Sequence, residues 1–186
     1  GTFVMGNMSI NSPRRESPSR NVNITEPYFF GQMQVTQLHW QSVMGDNPAK
    51  FCEGWSAGLR PIENVSWNDA QLFVDKLNAE HNDSLRLGLR GIWRLPSESE
   101  WEYAANAGGK QPKKDFNCRV SVNQKLIKGT GIVSVKSSKS NGRGLKNYVG
   151  NVQEWVMDEK ALLVRGGAYT DAHSKCAISL EREHKG

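Results

Sequence analysis

The stretch of sequence that decides the fold is residues 144–155, which read GLKNYVGNVQEW. Its second half, Gly150 to Glu154, holds a glycine, an amide side chain, several backbone carbonyls and a carboxylate within five residues. Carbonyl and carboxylate oxygens are the hard ligands that calcium prefers. The same residues could instead form a turn in which Asn151 and Glu154 bond backbone amides. The residues alone leave both interpretations open.

Three helices are predicted before this stretch. Ser66 and Asp69 form a capping-box pattern ahead of apolar residues at helical spacing, and Ser97 with Glu100 repeats that pattern after Pro96. A shorter helix should start at Thr36 and end at Gly45. The residues expected to face the core are Trp40, Val43, Met44, Ala70, Phe73, Val74, Leu77, Trp101, Ala104 and Ala105.

Short strands are predicted on both sides of the helices. Apolar or alternating runs at residues 3–5, 21–24, 28–30, 119–122, 132–135 and 162–165 are typical of strands. Long loops rich in glycine and lysine separate the later ones. This pattern predicts an α+β fold in which the helices pack on a small, mainly antiparallel sheet and long irregular loops carry the binding surface.

Further segments specify a family when they are taken in order along the chain. They are GTFVMG at residues 1–6, QVTQ at 34–37, NVSWNDA at 64–70, WRLPSESEWEYA at 93–104 and RGGAY at 165–169. With residues 144–155, they resemble the formylglycine-generating-enzyme, or sulfatase-modifying factor, family over nearly the whole chain. The resemblance implies a C-type-lectin-like fold, one domain over residues 1–186, and a place in a larger bacterial protein. Family members continue to a closing Gly-Phe-Arg strand that this sequence is expected to lack.

The resemblance also implies a calcium ion bound by residues 149–154. Its ligands here would be the carbonyls of Val149, Gly150 and Val152 and the carboxylate of Glu154. A second calcium site of the family would begin near Asn117, but no matching acidic residue follows it. Calcium is therefore expected at the first site only.

The catalytic cysteines of the family are only partly present in this sequence. Its enzymes oxidise a sulfatase cysteine to formylglycine, using two cysteines after the Arg-Gly-Gly turn that bind copper(I). Counted from Arg165, the later cysteine position falls on Cys176, the earlier one on Asp171, and the usual serine on Ala168. A carboxylate is a hard ligand poorly suited to copper(I), so copper and oxidase chemistry are not expected.

Cys176 is then predicted to be a small buried apolar residue, and catalytic only if the enzyme hypothesis holds. The three cysteines are far apart and allow at most one disulfide. The sequence around Cys52 and Cys118 gives no sign that either approaches Cys176. The four histidines are also scattered, which argues against the nonheme iron of the related sulfoxide synthases.

The leading hypothesis is a non-catalytic domain that binds a protein or a small molecule. Its ligand surface is expected around four residues of the irregular second half: Trp155, Arg165, Tyr169 and Asp171. One alternative is a formylglycine-generating oxidase with altered ligands, or another oxidoreductase of the superfamily. A further alternative, which the resemblance also implies, is a variable ligand-binding protein of a diversity-generating retroelement.

Charge and hydropathy narrow the range of partners that the sequence allows. The net charge is +5, and the segment from Lys110 to Lys146 contains ten basic residues against the single acid Asp115. It has few aromatic residues for base stacking and no nucleic-acid-binding motif, so a solvated loop face is favoured over nucleic acid. No apolar run approaches the roughly 18 residues of a membrane span, and the first residues do not form a signal peptide. The compartment stays open.

Overall fold

Three α-helices lie in the first 105 residues: α1 is Gln37–Met44, α2 is Trp67–Glu80 and α3 is Glu98–Ala105. The structure is a computed structural model, and it describes residues 1–6, 18–80, 91–107, 117–122, 125–127, 131–158, 161–172, 175–179 and 181–183. Each helix begins where the sequence predicts. A short 3₁₀ turn, Ala57–Leu59, lies between α1 and α2.

The predicted caps are present at all three helices. The Thr36 hydroxyl accepts from the backbone amide of His39, and Gly45 ends α1 in the left-handed region at φ 87°. At α2, the Ser66 amide donates to the Asp69 carboxylate, whose own amide donates back to the Ser66 hydroxyl. Ser97 and Glu100 make the same reciprocal pair at α3. These bonds satisfy amides that the first turn of a helix leaves without partners.

All strand pairs among the described residues are antiparallel. Strand β1 (Thr2–Met5) pairs with β2 (Arg20–Asn23), and β3 (Val120–Val122) pairs with β4 (Lys125–Ile127). The third sheet has three strands in the order β5 (Glu154–Val156), β6 (Leu163–Arg165) and β7 (Glu181–Glu183). Together with the three helices, these small sheets form the expected α+β, C-type-lectin-like fold.

Two predicted strands are absent from the described residues. Residues 28–30 form no strand, and the Tyr28 hydroxyl donates instead to the Glu100 carbonyl at 2.8 Å. Residues 132–135 form none either, because the side chain of Asn151 bonds both the amide and the carbonyl of Val133, at 3.0 and 3.2 Å. A side-chain amide thus satisfies the main chain as a neighbouring strand would.

Two apolar clusters hold these elements together. In the first, the Trp40 ring of α1 stacks on Phe73 of α2 with centroids 5.1 Å apart, and Ala49, Ile62 and Val74 complete it. The second cluster lies between α3 and the later sheet and loops, and it surrounds Trp101. The predicted inward faces of the helices are confirmed. In the part of the chain that the structure describes, no helix is long and apolar enough to cross a membrane.

Candidate functional site

The position of the family's later cysteine is occupied by a disulfide. Cys176 is bonded to Cys118, with their Cα atoms 6.6 Å apart, and its side chain is buried. The prediction that neither other cysteine approaches Cys176 is therefore wrong, whereas Cys176 is buried as predicted. The parallel bridges that join Asn117 to Gly150 and Arg119 to Ala172 bring Cys118 to this position, and neither pairing has a local sequence signal.

The position of the family's earlier cysteine is occupied by a carboxylate that is already bonded. Asp171 accepts from the backbone amide of Ala168 at 2.8 Å and from Arg182 at 2.8 Å. The main chain around it is also fixed, because the Arg119 amide donates to the Asp171 carbonyl. Asp171 therefore closes the turn after Gly166 and Gly167 and is tied to β7.

Arg165, predicted to contact ligand, lies in the interior with 1% of its surface exposed. Its guanidinium forms ion pairs with Glu98 and Glu102 of α3, and it donates to the carbonyls of Ile178 and Ser179. The cation is therefore surrounded by the buried carboxylate of Glu102, the half-buried carboxylate of Glu98 and two carbonyls, an arrangement that stabilises an interior charge. Arg165 is the last residue of β6, and its side chain fastens α3 to the sheet and does not belong to an exposed surface.

Trp155 and Arg165 lie on opposite faces of the same sheet. In the register of β5 and β6, Glu154 pairs with Arg165 and Trp155 pairs with Val164. Since successive side chains of a strand point to opposite faces, Trp155 points away from the α3 side. Its indole nitrogen donates to the Val65 carbonyl at 3.2 Å, next to the start of α2. The four residues of the predicted ligand surface are thus not brought together as one patch.

Two of the four residues do lie near each other. Tyr169 and Asp171 are half-buried and belong to the turn that follows Gly167. The Tyr169 ring contacts Phe51 edge to face at 5.6 Å, and its amide donates to the Asn151 carbonyl. This turn and Phe51 are what remains of the predicted ligand surface. The contribution of Phe51 has no signal in the sequence, because it lies 118 positions before Tyr169.

The stretch that was predicted to hold calcium is a buried polar network. Gln34, which precedes α1, directs its amide nitrogen at the carbonyls of Asn147 and Val152 and at the Glu154 carboxylate. The other Glu154 oxygen accepts from the indole of Trp101 at 2.8 Å. Burial raises the pKa of Glu154, and the two hydrogen bonds partly offset that shift.

This network does not fit a calcium ion as it stands. Two of the expected ligands, the Val152 carbonyl and the Glu154 carboxylate, already accept from an N–H donor that occupies the space between them. Among the described residues, no group of three or more histidine, cysteine, aspartate or glutamate side chains is placed to hold a metal. Calcium binding stays a prediction. At the second family site, the side-chain amide of Asn117 donates to the carbonyl of Gly131 and to the side-chain oxygen of Asn151.

A polar cleft that the sequence did not indicate lies at the start of α3. It has a volume of about 310 Å³ and is lined by residues 23–26, Arg94, Ser97, Ser99 and Glu100. Arg94 donates to both oxygens of Glu100, which holds the pKa of that carboxyl at about 2. Arg94 and Glu100, two of the charged residues that line the cleft, are thus paired with each other. Of the four histidines, His81, His173 and His184 lie outside the described residues, as does much of the basic segment.

Comparisons with known proteins show the family to which the chain belongs. The sequence pattern of the sulfatase-modifying factor enzyme 1-like domain matches residues 1–185, so the chain belongs to the FGE-sulfatase family. The formylglycine-generating enzyme of Streptomyces coelicolor is 32% identical over 114 residues, which are 53% of this chain and 32% of the enzyme.

Two other relatives are not named as enzymes of that kind. The chaperone protein LppX of Paenibacillus barcinonensis is 28% identical over 191 residues, covering 75% of this chain and 64% of LppX. The solved structure of Treponema denticola variable protein 1 matches with a TM-score of 0.64 and 25% identity, covering 83% of this chain and 77% of that one. The chain spans about a third of the length of the Streptomyces enzyme and about two thirds of the length of LppX.

Proposed function

We propose that this domain is a non-catalytic, ligand-binding member of the FGE-sulfatase family. The observation that carries the proposal is the state of the two positions that hold copper(I) in the family's enzymes. One is Cys176, whose sulfur is bonded to Cys118, and the other is Asp171, whose carboxylate is paired with Arg182. A copper(I) site needs soft thiolate ligands, and neither position supplies one.

The relatives support a binding role for the same scaffold. A chaperone and a variable protein share this family's sequence or fold with the chain. Because one fold hosts many functions, this support is secondary to the chemistry of the two positions. The surface we assign to the ligand is the turn of Tyr169 and Asp171 together with Phe51.

The test is to incubate the oxidised domain with copper(I), oxygen and a peptide that carries the sulfatase cysteine motif. Mass spectrometry then follows the loss of sulfur from the peptide, and copper content is measured after removal of free metal. We expect no conversion and no stoichiometric copper. Robust turnover that disappears in Cys176→Ser would restore the enzyme hypothesis and overturn the proposal.

Three variants separate a lost ligand from a lost pocket. Cys118→Ser frees the Cys176 thiol, Asp171→Cys restores the earlier thiol, and the double variant supplies both. We expect Cys118→Ser alone to be inactive, because one thiolate cannot make a two-sulfur site. Activity in Cys118→Ser would contradict the proposal, whereas copper binding by the double variant alone would agree with it.

A second candidate function, a variable protein of a diversity-generating retroelement, is favoured by the likeness to the Treponema protein. The turn of Tyr169 and Asp171 is where changeable residues would be displayed. Near-identical copies of the gene that differ only around residues 168–182 would support this function. Copies that differ evenly along the chain would argue against it.

A further inference from the structure

Three oxygen atoms converge on the side-chain nitrogen of Gln34. The carbonyl of Asn147 lies at 3.1 Å from Nε2, the carbonyl of Val152 at 3.0 Å, and Oε1 of Glu154 at 2.9 Å. The Gln34 side chain comes from a segment more than a hundred residues earlier in the chain, and only 8% of the residue is exposed. A carboxylate and two carbonyls around one point form the kind of oxygen set that binds a hard cation.

The rest of the network fixes which end of the amide faces these oxygens. Gln34 Oε1 accepts from the side-chain nitrogen of Asn151 at 3.1 Å. Asn151 is itself fully buried and held, because its Oδ1 accepts from Asn117 and from the Val133 amide. If the Gln34 amide were flipped, its oxygen would face three acceptors and its nitrogen would face the Asn151 donors. The donor end of Gln34 is therefore directed at the three oxygens.

We propose that the Gln34 amide takes the place of a calcium ion in this loop, so that the domain folds and keeps the loop in shape without calcium. The amide supplies N–H donors where the cation would supply positive charge. The Glu154 carboxylate is satisfied by two neutral donors, Gln34 and the Trp101 indole. Since an amide carries no charge, the loop is stable only while the donor end keeps its orientation, and the Asn151 contacts provide that.

The proposal has a sharp consequence for the substitution Gln34→Glu. This change replaces the donor with an oxygen and places a second carboxylate against Glu154 and the two carbonyls. Two carboxylates at such a short distance repel each other, and a divalent cation between them would relieve the repulsion. The variant should therefore acquire the calcium dependence that the wild type lacks.

The experiment measures the melting temperature of the wild type, Gln34→Glu and Gln71→Glu in EDTA and in excess calcium. Gln71 is a matched control, because its amide donates to the Asp75 carboxylate at 3.1 Å, but at the surface of α2. We expect the wild type and Gln71→Glu to melt at the same temperature in both conditions. Gln34→Glu should melt lower in EDTA and regain about 5 to 10 °C in calcium at a hundredfold excess over its dissociation constant.

The outcomes separate cleanly. A calcium-induced rise in the wild-type melting temperature, matched by heat of binding in calorimetry with calcium chloride, would overturn the proposal. A Gln34→Glu variant that is as stable as the wild type and indifferent to calcium would also overturn it. If Gln34→Glu does not fold in either condition, Gln34→Met serves in its place, since it removes the donor without adding charge. A wild type indifferent to calcium and a destabilised Gln34→Met would then support the proposal, and an undisturbed Gln34→Met would contradict it.

Discussion

Cys118 and Cys176 form a disulfide that closes 58 residues of chain and joins the segment before β3 to the segment after the Gly166 turn. Its sulfurs lie against two glycines: a side chain at Gly150 would meet Cys118, and one at Gly167 would meet Cys176. The bond thus lies between the loop of the Gln34 network and the turn that carries the family's catalytic cysteines in its enzymes.

The disulfide predicts the thiol count of the native protein. Cys52 is exposed and is the free cysteine among the described residues, so one thiol per chain should react with a thiol reagent before reduction. All three cysteines should react after reduction in denaturant. Three reactive thiols in the native oxidised protein would contradict the bond.

Removing the disulfide should lower the free energy of unfolding. For a loop of 58 residues, the loss of the cross-link is worth about 4 kcal/mol, because the unfolded chain gains conformational freedom. Urea unfolding of Cys118→Ser measures it, and Cys52→Ser is the control, with an expected change within about 0.5 kcal/mol. Equal stability of the two variants would show that the bond is not formed.

The buried ion pairs of Arg165 predict a large effect of Arg165→Met. The substitution removes the buried cation that Glu102 and Glu98 share, and Glu102 is only 2% exposed. Removing one partner of a buried pair costs about 3–5 kcal/mol, measured by urea unfolding. The control is Arg20→Met, since Arg20 reaches Glu98 at 3.7 Å from an exposed position, and its loss should cost less than about 1 kcal/mol. Similar costs for both variants would refute the structural role of Arg165.

The low pKa of Glu100 predicts how stability falls in acid. The hydrogen bond from Arg94 is the largest cause of the shift, from 4.5 to about 2, and bonds from Ser97 add to it. Because the folded pKa is below the unfolded one, this contribution is complete above pH 4.5 and is lost as the pH falls towards 2. Glu100→Gln should flatten the decline between these values and cost roughly 1 kcal/mol at neutral pH, since Arg94 is partly exposed to solvent.

Asp69 provides the control for that experiment. It occupies the same position at the start of α2, but the cause of its lowered pKa is its bonds to Ser66, with no arginine involved. Asp69→Asn should therefore change the acid decline less than Glu100→Gln does. Urea unfolding at a series of pH values measures both, and an identical pH dependence of the two variants would contradict the assignment to Arg94.

Gly150 should not tolerate a side chain. An alanine Cβ there would lie 2.6 Å from the Cys118 sulfur and 2.7 Å from the Asn117 carbonyl, at a φ of +76°. Gly45 has a similar φ of +87° with nothing within 4 Å, so Gly45→Ala isolates the backbone strain. We expect about 1 kcal/mol for Gly45→Ala and a further 1–3 kcal/mol for Gly150→Ala, read from urea unfolding. Equal losses would mean that the contact with Cys118 is absent.

The helices could be predicted because their signals are local. Ser66 with Asp69, and Ser97 with Glu100, are three residues apart and cap the helix that follows whatever the rest of the chain does. A strand, unlike a capped helix, depends on hydrogen-bond partners from elsewhere in the chain. The run at 132–135 has the composition of a strand, but Val133 is bonded by the Asn151 side chain, and Val135 is bonded by Asn147 and Leu59 from other segments. Composition carries no information about such a partner.

The sequence by itself determined the family, the helix starts and the replacement of the earlier catalytic cysteine by Asp171, since each depends on the identity or close spacing of residues. Only the tertiary structure decided the partner of Cys176, the burial of Arg165 and the position of the Gln34 amide beside Glu154. Those contacts join residues that are 58, 63 and 120 positions apart. Local spacing does not encode contacts at such separations, because they form only when the packed helices and sheets bring distant segments to the same place.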